Sequence, residues 1–146
     1  MKTVEVKTEI VIAAPKDKVS EYAANPDNAP IWYENISKSE WKSEKPLEVG
    51  SRISFTAHFL GKKLEYTYKI YEYIPGEKLV MGTSGGPMEM NTTYLWKTVE
   101  GNKTRMTLIN KGTTSGFAAI FSPIMEMAMR KAMNKNLRDL KKILER

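Results

Sequence analysis

Three features of the sequence predict an α+β fold: a curved antiparallel sheet of about seven strands wrapped on one long C-terminal helix, with two short helices between the first and second strands. From Phe117 to Arg146 there is no Gly and only one Pro, Pro123, while Phe121, Met125, Ala128, Met129, Ala132, Met133, Leu140 and Ile143 recur at helical spacing. From Ser37 to Lys111 the apolar residues mostly alternate with period two, as in strands with one buried face. The connections between those stretches are hairpin-length, which makes sequential strands antiparallel neighbours. A long helix laid across such a sheet encloses a cavity, and a cavity implies a ligand.

Each element has its own signal. Residues 3–12 read as a strand, because Val4, Val6, Thr8, Ile10 and Ile12 alternate with Glu5, Lys7 and Glu9. Ala14-Pro15 ends it, and Pro15 suits the first turn of a helix over Lys16 to Ala24, with Val19, Tyr22 and Ala23 toward the core. Asn25-Pro26-Asp27-Asn28 is a turn, with Asp27 or Asn28 as cap of a second short helix carrying Ile31, Trp32 and Ile36. A short strand over 37–43 surrounds Trp41, and Pro46 to Gly50 turns the chain. Arg52 to Leu60 places Ile53, Phe55, Ala57 and Phe59 on one face. After a tight hairpin at Gly61-Lys62, Lys63 to Ile74 does the same with Leu64, Tyr66, Tyr68 and Ile70. Pro75-Gly76 precedes a strand bearing Leu79, Met81 and Thr83. Met88 to Val99 brings Met90, Thr92, Tyr94 and Trp96 to one side. Gly101-Asn102 turns into the last strand, with Thr104, Met106, Leu108 and Asn110.

The chain has 146 residues, the size of one domain, and no stretch approaches the ~20 apolar residues that span a bilayer. The start, Met1 to Lys7, lacks the apolar core of a signal peptide. There is no Cys, which excludes disulfides and thiolate chemistry and makes a reducing cytoplasm the expected setting. The net charge is +6, and the excess gathers at the end of the chain: Glu126 to Arg146 holds seven basic residues against three acidic ones. Most of these bases fall opposite the Met stripe at ~100° per residue. They read as a solvated helix face, with an anionic membrane surface as the alternative partner. No aromatic or Gly-rich motif accompanies them, so nucleic acid is not an expected partner.

The element order and several local signatures resemble the START / Bet v 1-like superfamily, also called SRPBCC or polyketide cyclase/dehydrase and lipid-transport proteins. The carriers are Ile12-Ala13-Ala14-Pro15 followed by Val19, then Asn25-Pro26, Trp32, Leu47-Glu48-Val49-Gly50, Ile74-Pro75-Gly76-Glu77 and the Leu- and Lys-rich end from Leu137 to Glu145. The resemblance spans essentially the whole chain and implies a helix-grip fold, whose sheet curls around the last helix and leaves an apolar cavity. It also implies an apolar or amphipathic small-molecule ligand, such as a lipid, hormone or polyketide. Some relatives are cyclases or dehydratases and some activate a chaperone ATPase, so the fold does not fix the function.

The candidate site is therefore the inward face. The notable groups are Phe55, Phe59, Met81, Met90, Met106, Met125, Met129 and Met133, with nine Met in the chain. These methionines either fill the core or form a deformable cavity wall. Tyr66, Tyr68, Thr92, Tyr94, Asn110 and Asn136 are the inward polar groups. Asn136 lies inside the Met stripe, where its amide needs a partner in the protein or in a ligand. Trp32 matches the family's Trp and either covers the cavity mouth or packs in the core. Gly82 to Pro87 and Thr113 to Gly116 are turns or a gate. His58, the only histidine, falls with Arg52, Ser54 and Thr56 on the outer face. With no Cys and no clustered carboxylates, neither a metal nor a cofactor is expected, and no nucleophile, phosphate-loop or dinucleotide motif is present. Binding or carriage is the leading expectation, and a monomer or homodimer the expected state.

Overall fold

The computed structural model describes residues 2–59, 61–83, 89–114 and 123–146. Seven strands form one antiparallel sheet: β1 (Lys2–Ile12), β2 (Ile36–Trp41), β3 (Arg52–Phe59), β4 (Lys62–Ile74), β5 (Lys78–Thr83), β6 (Glu89–Val99) and β7 (Lys103–Thr114). Their spatial order is β1-β7-β6-β5-β4-β3-β2. Every pair except β1–β7 is sequential, which is what short connections dictate. Between β1 and β2 the chain crosses to the opposite edge through α1 (Lys16–Ala24), a 3-10 turn (Pro26–Asn28) and α2 (Ala29–Trp32). The long helix α3 (Pro123–Leu144) follows β7, and the expected helical residues 117–122 lie outside the described ones. This is the helix-grip arrangement, and among the described residues no helix is long and apolar enough to cross a membrane.

Three local expectations change. The short helix stops at Trp32, so Ile36 opens β2 and Ile31 is left exposed. Asn28 holds the N-cap position of α2, one of the two expected residues, but its side chain makes no capping bond. The capping bond belongs to the preceding 3-10 turn, where the Asn25 side chain accepts from the Asp27 N–H at 3.0 Å. Asp27 instead accepts from Trp41 Nε1 at 2.9 Å and Lys45 Nζ at 3.0 Å, and Asn28 Nδ2 donates to the Tyr22 carbonyl. Phe59 already pairs with Lys62, and Gly61 has φ +79°, so the tight turn comes one residue earlier than Gly61-Lys62. The register of β4 against β5 also slips between Ile70 and Glu72. That bulge leaves Tyr71 exposed and turns Tyr73, opposite Leu79, onto the core.

The interior has two parts. At the α1 and α2 end the sheet and α3 close over a dry core that includes Val19, Trp32, Ile53, Ile70, Leu79, Trp96, Met106, Leu137 and Leu140. At the other end, toward the β3–β4 hairpin and the earlier turns of α3, the gap between the layers is not filled. The basic helix also has a structural role that periodicity did not show. Arg130 Nη1 donates to the Lys7 carbonyl and Lys141 Nζ to the Val11 carbonyl, so α3 covers the free edge of β1. Glu145 Oε2 accepts from Lys141 and from the Ala13 N–H, two bonds that hold its carboxyl below the usual range. Lys18 Nζ donates to the Leu144 carbonyl at 3.1 Å, satisfying one of the last carbonyls of α3.

The β6–β7 turn carries positive φ at both Gly101 (+78°) and Asn102 (+57°). Asn tolerates this region and a β-branched residue does not. Asn102→Val is expected to lower stability by about 1–2 kcal/mol and Asn102→Gly to change it by less than about 0.5 kcal/mol, both read as urea midpoints.

Candidate functional site

The unfilled end of the interior is a cavity of about 180 Å³. Its apolar wall comes from Phe55 and Ala57 on β3, Leu64 on β4, Met81 on β5, Met90 on β6, and Met129, Ala132 and Met133 on α3, completed by Ala29 and Ile36. The register explains the convergence. Phe55 pairs with Tyr66, Ala57 with Leu64, and Met81 with Thr92, each pair sharing one face of the sheet. Ala29, Ala57 and Ala132 stand where larger side chains would fill the space. The methionines present flexible thioethers that adapt to an occupant's shape. A second, small cavity lies against the first, sharing Ala29, Phe55, Met81 and Tyr94 as a common wall.

Polar groups occupy one part of the lining. Tyr33 and Tyr94 hydroxyls lie 2.5 Å apart, although they are 61 residues apart in sequence. Tyr33 reaches this place because the backbone leaves the helix there and turns extended, with φ −87° and ψ 120°. Trp32 backs the pair, its ring 4.1 Å from Tyr33 and 5.9 Å from Tyr94. Thr92 Oγ1 donates to Asn110 Oδ1 at 2.7 Å, a bond between residues directly opposite on β6 and β7. Asn136, only 2% exposed, accepts the Glu34 N–H through Oδ1 at 3.0 Å. Asn35 also lines the cavity, and its Oδ1 is buried with no partner among the described residues.

Burial sets the proton chemistry. It pushes the Tyr68 hydroxyl up to about 12, partly offset by its contact with Thr92. It drives Tyr33 and Tyr94 higher still; the bond from Tyr94 moderates the first, and the neighbouring Tyr33 raises the second further. Tyr66 is raised by burial as well. Near neutral pH these hydroxyls are protonated donors and poor bases.

Eleven of the fifteen residues singled out from sequence line the cavity: Phe55, Tyr66, Tyr68, Met81, Met90, Thr92, Tyr94, Asn110, Met129, Met133 and Asn136. Trp32 does not; at 1% exposure it packs behind the wall, the core-packing alternative of its two readings and not a ligand contact. Met106 is wholly buried opposite Trp96 in the dry core, because inward alternation continues along β7 past the end of the cavity. The side chains of Phe59 and Met125 lie outside the described residues. Of the expected gate, Gly82, Thr83, Thr113 and Thr114 belong to β5 and β7, and residues 84–87 and 115–116 lie outside the described ones. His58 is exposed, with Nε2 3.3 Å from Ser37 Oγ. Tyr33 and Asn35 were missed because a helix extended to Ile36 leaves both off the inward face. Among the described residues no three His, Asp or Glu side chains gather as a metal site would require.

A family model described as polyketide cyclase / dehydrase and lipid transport matches residues 3–145. The chain belongs to that family. Comparison with curated proteins returns no match. Solved structures agree on the fold. The Zhui aromatase/cyclase from Streptomyces sp. R1128 is 16% identical, with TM-score 0.82 over 99% of this chain and 95% of that one. A START superfamily protein from Mycobacterium smegmatis is 10% identical, with TM-score 0.82 over 97% of each chain. Major latex-like protein 151 from Panax ginseng is 13% identical, with TM-score 0.77 over 97% of each.

The buried tyrosines make a pH prediction. In the unfolded chain they ionise near ~10, and in the folded chain only above that. Their contribution to stability is complete below about pH 10 and is lost as pH rises from there through the folded values. The urea midpoint should fall above about pH 10, and less steeply in the Tyr33→Phe/Tyr94→Phe variant. Tyrosinate absorbance at about pH 11 should report fewer than the seven tyrosines while the chain stays folded. Full ionisation of all seven near ~10 in the folded protein would refute the assignment.

Proposed function

We propose that this protein binds an apolar or amphipathic small molecule between the sheet and α3, and carries or presents it unchanged. The observation that carries this reading is the cavity itself, some 180 Å³ walled mainly by aliphatic, aromatic and thioether groups. Apolar cavities of roughly that size take up a benzene-sized ring. Membership of a family that includes lipid transport is consistent with such an occupant.

The rival reading is a cyclase or dehydratase acting on a polyketide-like carbonyl substrate, and the family description includes that chemistry too. It requires a group that accepts a proton from carbon. Hydroxyls raised above their ordinary range stay protonated and accept protons poorly at neutral pH. Carriage makes no such demand.

The test is a fluorescence titration with the neutral probe N-phenyl-1-naphthylamine. Saturation at one site per chain is expected, with recovery of the probe unchanged. Met133→Trp, which puts a ring into the cavity, should weaken binding at least tenfold while the fold persists. Absence of saturable binding by a chain with an intact thermal transition would refute the reading.

A further inference from the structure

The polar part of the cavity lining is unequal in donors and acceptors. The Glu34 N–H can only donate, so its partner on Asn136 must be Oδ1, which fixes the amide's orientation and leaves Nδ2 with two protons. Among the described residues nothing accepts from that Nδ2. In the Tyr33–Tyr94 pair one proton lies between the two oxygens, and the other hydroxyl's proton remains. No other described group accepts that proton either. Asn110 Oδ1 is taken by Thr92. Of the amide acceptors on this lining, Asn110 Oδ1 and Asn136 Oδ1 are taken and Asn35 Oδ1 is left over. The left-over donors are Asn136 Nδ2 and one hydroxyl of the tyrosine pair, so donors outnumber acceptors.

None of the described residues that line the cavity is Lys, Arg or His. Residues 84–88 and 115–122, outside the described ones, contain none in the sequence. An anion placed here would lose its hydration with no counter-charge, a far larger cost than leaving a neutral oxygen unpaired.

We infer that the occupant is a neutral molecule whose carbonyl oxygen, in a ketone or quinone, accepts from Asn136 Nδ2 and from the Tyr33–Tyr94 pair, and that carboxylates are rejected. This rests on the binding reading above. It narrows that reading from apolar or amphipathic molecules in general, since a free fatty acid is excluded and a keto-bearing ring compound is favoured. It also assigns the tyrosine pair a shared role: removing one hydroxyl leaves a donor in place, and removing both does not.

Calorimetric titration of the full chain with three naphthalenes of nearly equal shape tests this. They are 2-acetylnaphthalene, 2-isopropenylnaphthalene and 2-naphthoate, which differ only in carrying a ketone, a methylene or a carboxylate. The ketone should bind about five- to tenfold more tightly than the hydrocarbon, as one or two net hydrogen bonds provide. The carboxylate should bind weakest. Tyr33→Phe alone should keep most of the ketone preference, while Tyr33→Phe/Tyr94→Phe and Asn136→Leu should each reduce it about threefold or more without weakening the hydrocarbon. Asn136→Leu also orphans the Glu34 N–H, so if that variant does not fold the double tyrosine variant decides. Equal affinity for ketone and hydrocarbon, a preference that survives the double variant, or tightest binding of the carboxylate would overturn the inference while leaving the binding reading standing. Failure of both neutral compounds to bind would overturn the two together.

Discussion

The hydrogen bond from the Glu34 N–H to Asn136 Oδ1 ties the long helix to the corner where α2 meets β2. Much of the site depends on this contact. It crosses 102 residues of sequence and places an amide among methionines. It holds α3 at a height above the sheet where Met129 and Met133 form a wall of the cavity, while Leu137, Leu140 and Leu144 pack as core. The same corner delivers Tyr33 to Tyr94. One backbone donor thus sets the amide orientation and joins α3 to the corner that carries Tyr33.

Around that contact the molecule divides its interior. Small side chains at Ala29, Ala57 and Ala132 keep one end open, and large ones at Trp32, Trp96 and Met106 close the other. The open end forgoes contacts that the closed end makes, and edge bonds from Arg130 and Lys141 help hold α3 to β1 regardless. These two bases account for part of the positive charge on the helix. Lys135 is also engaged, with Asp139 at 2.8 Å. The charge is in part a device for covering a sheet edge, and the membrane alternative loses some of its motive.

The fold was legible in the sequence because its signals are local and redundant. Alternation in β3, β4 and β6, turn residues at Pro75-Gly76 and Gly101-Asn102, and the Gly-free end of the chain each specify one element. Most of the lining was legible for the same reason, since alternation decides which side chains face in. What alternation cannot show is how far along a strand the cavity extends, so Met106 was expected in the wall and sits in the dry core. Nor can it show where a short helix ends. Stopping α2 at Trp32 rather than near Ile36 rotates Tyr33 and Asn35 inward and Trp32 behind them. The tyrosine pair is a tertiary contact between residues of unremarkable local pattern, and no spacing in the sequence announces it.

The central claim, that the space between sheet and helix is a ligand site, is tested most directly at the methionine methyls. With 13C-methyl-methionine protein, NMR spectra recorded while a neutral aromatic ketone is added should show the signals of Met81, Met90, Met129 and Met133 moving together and saturably. Met106, in the dry core, and Met127, exposed on the outer face of α3, should stay in place. Movement of Met127 alone, or none at any cavity methyl at saturating ligand, would contradict the account.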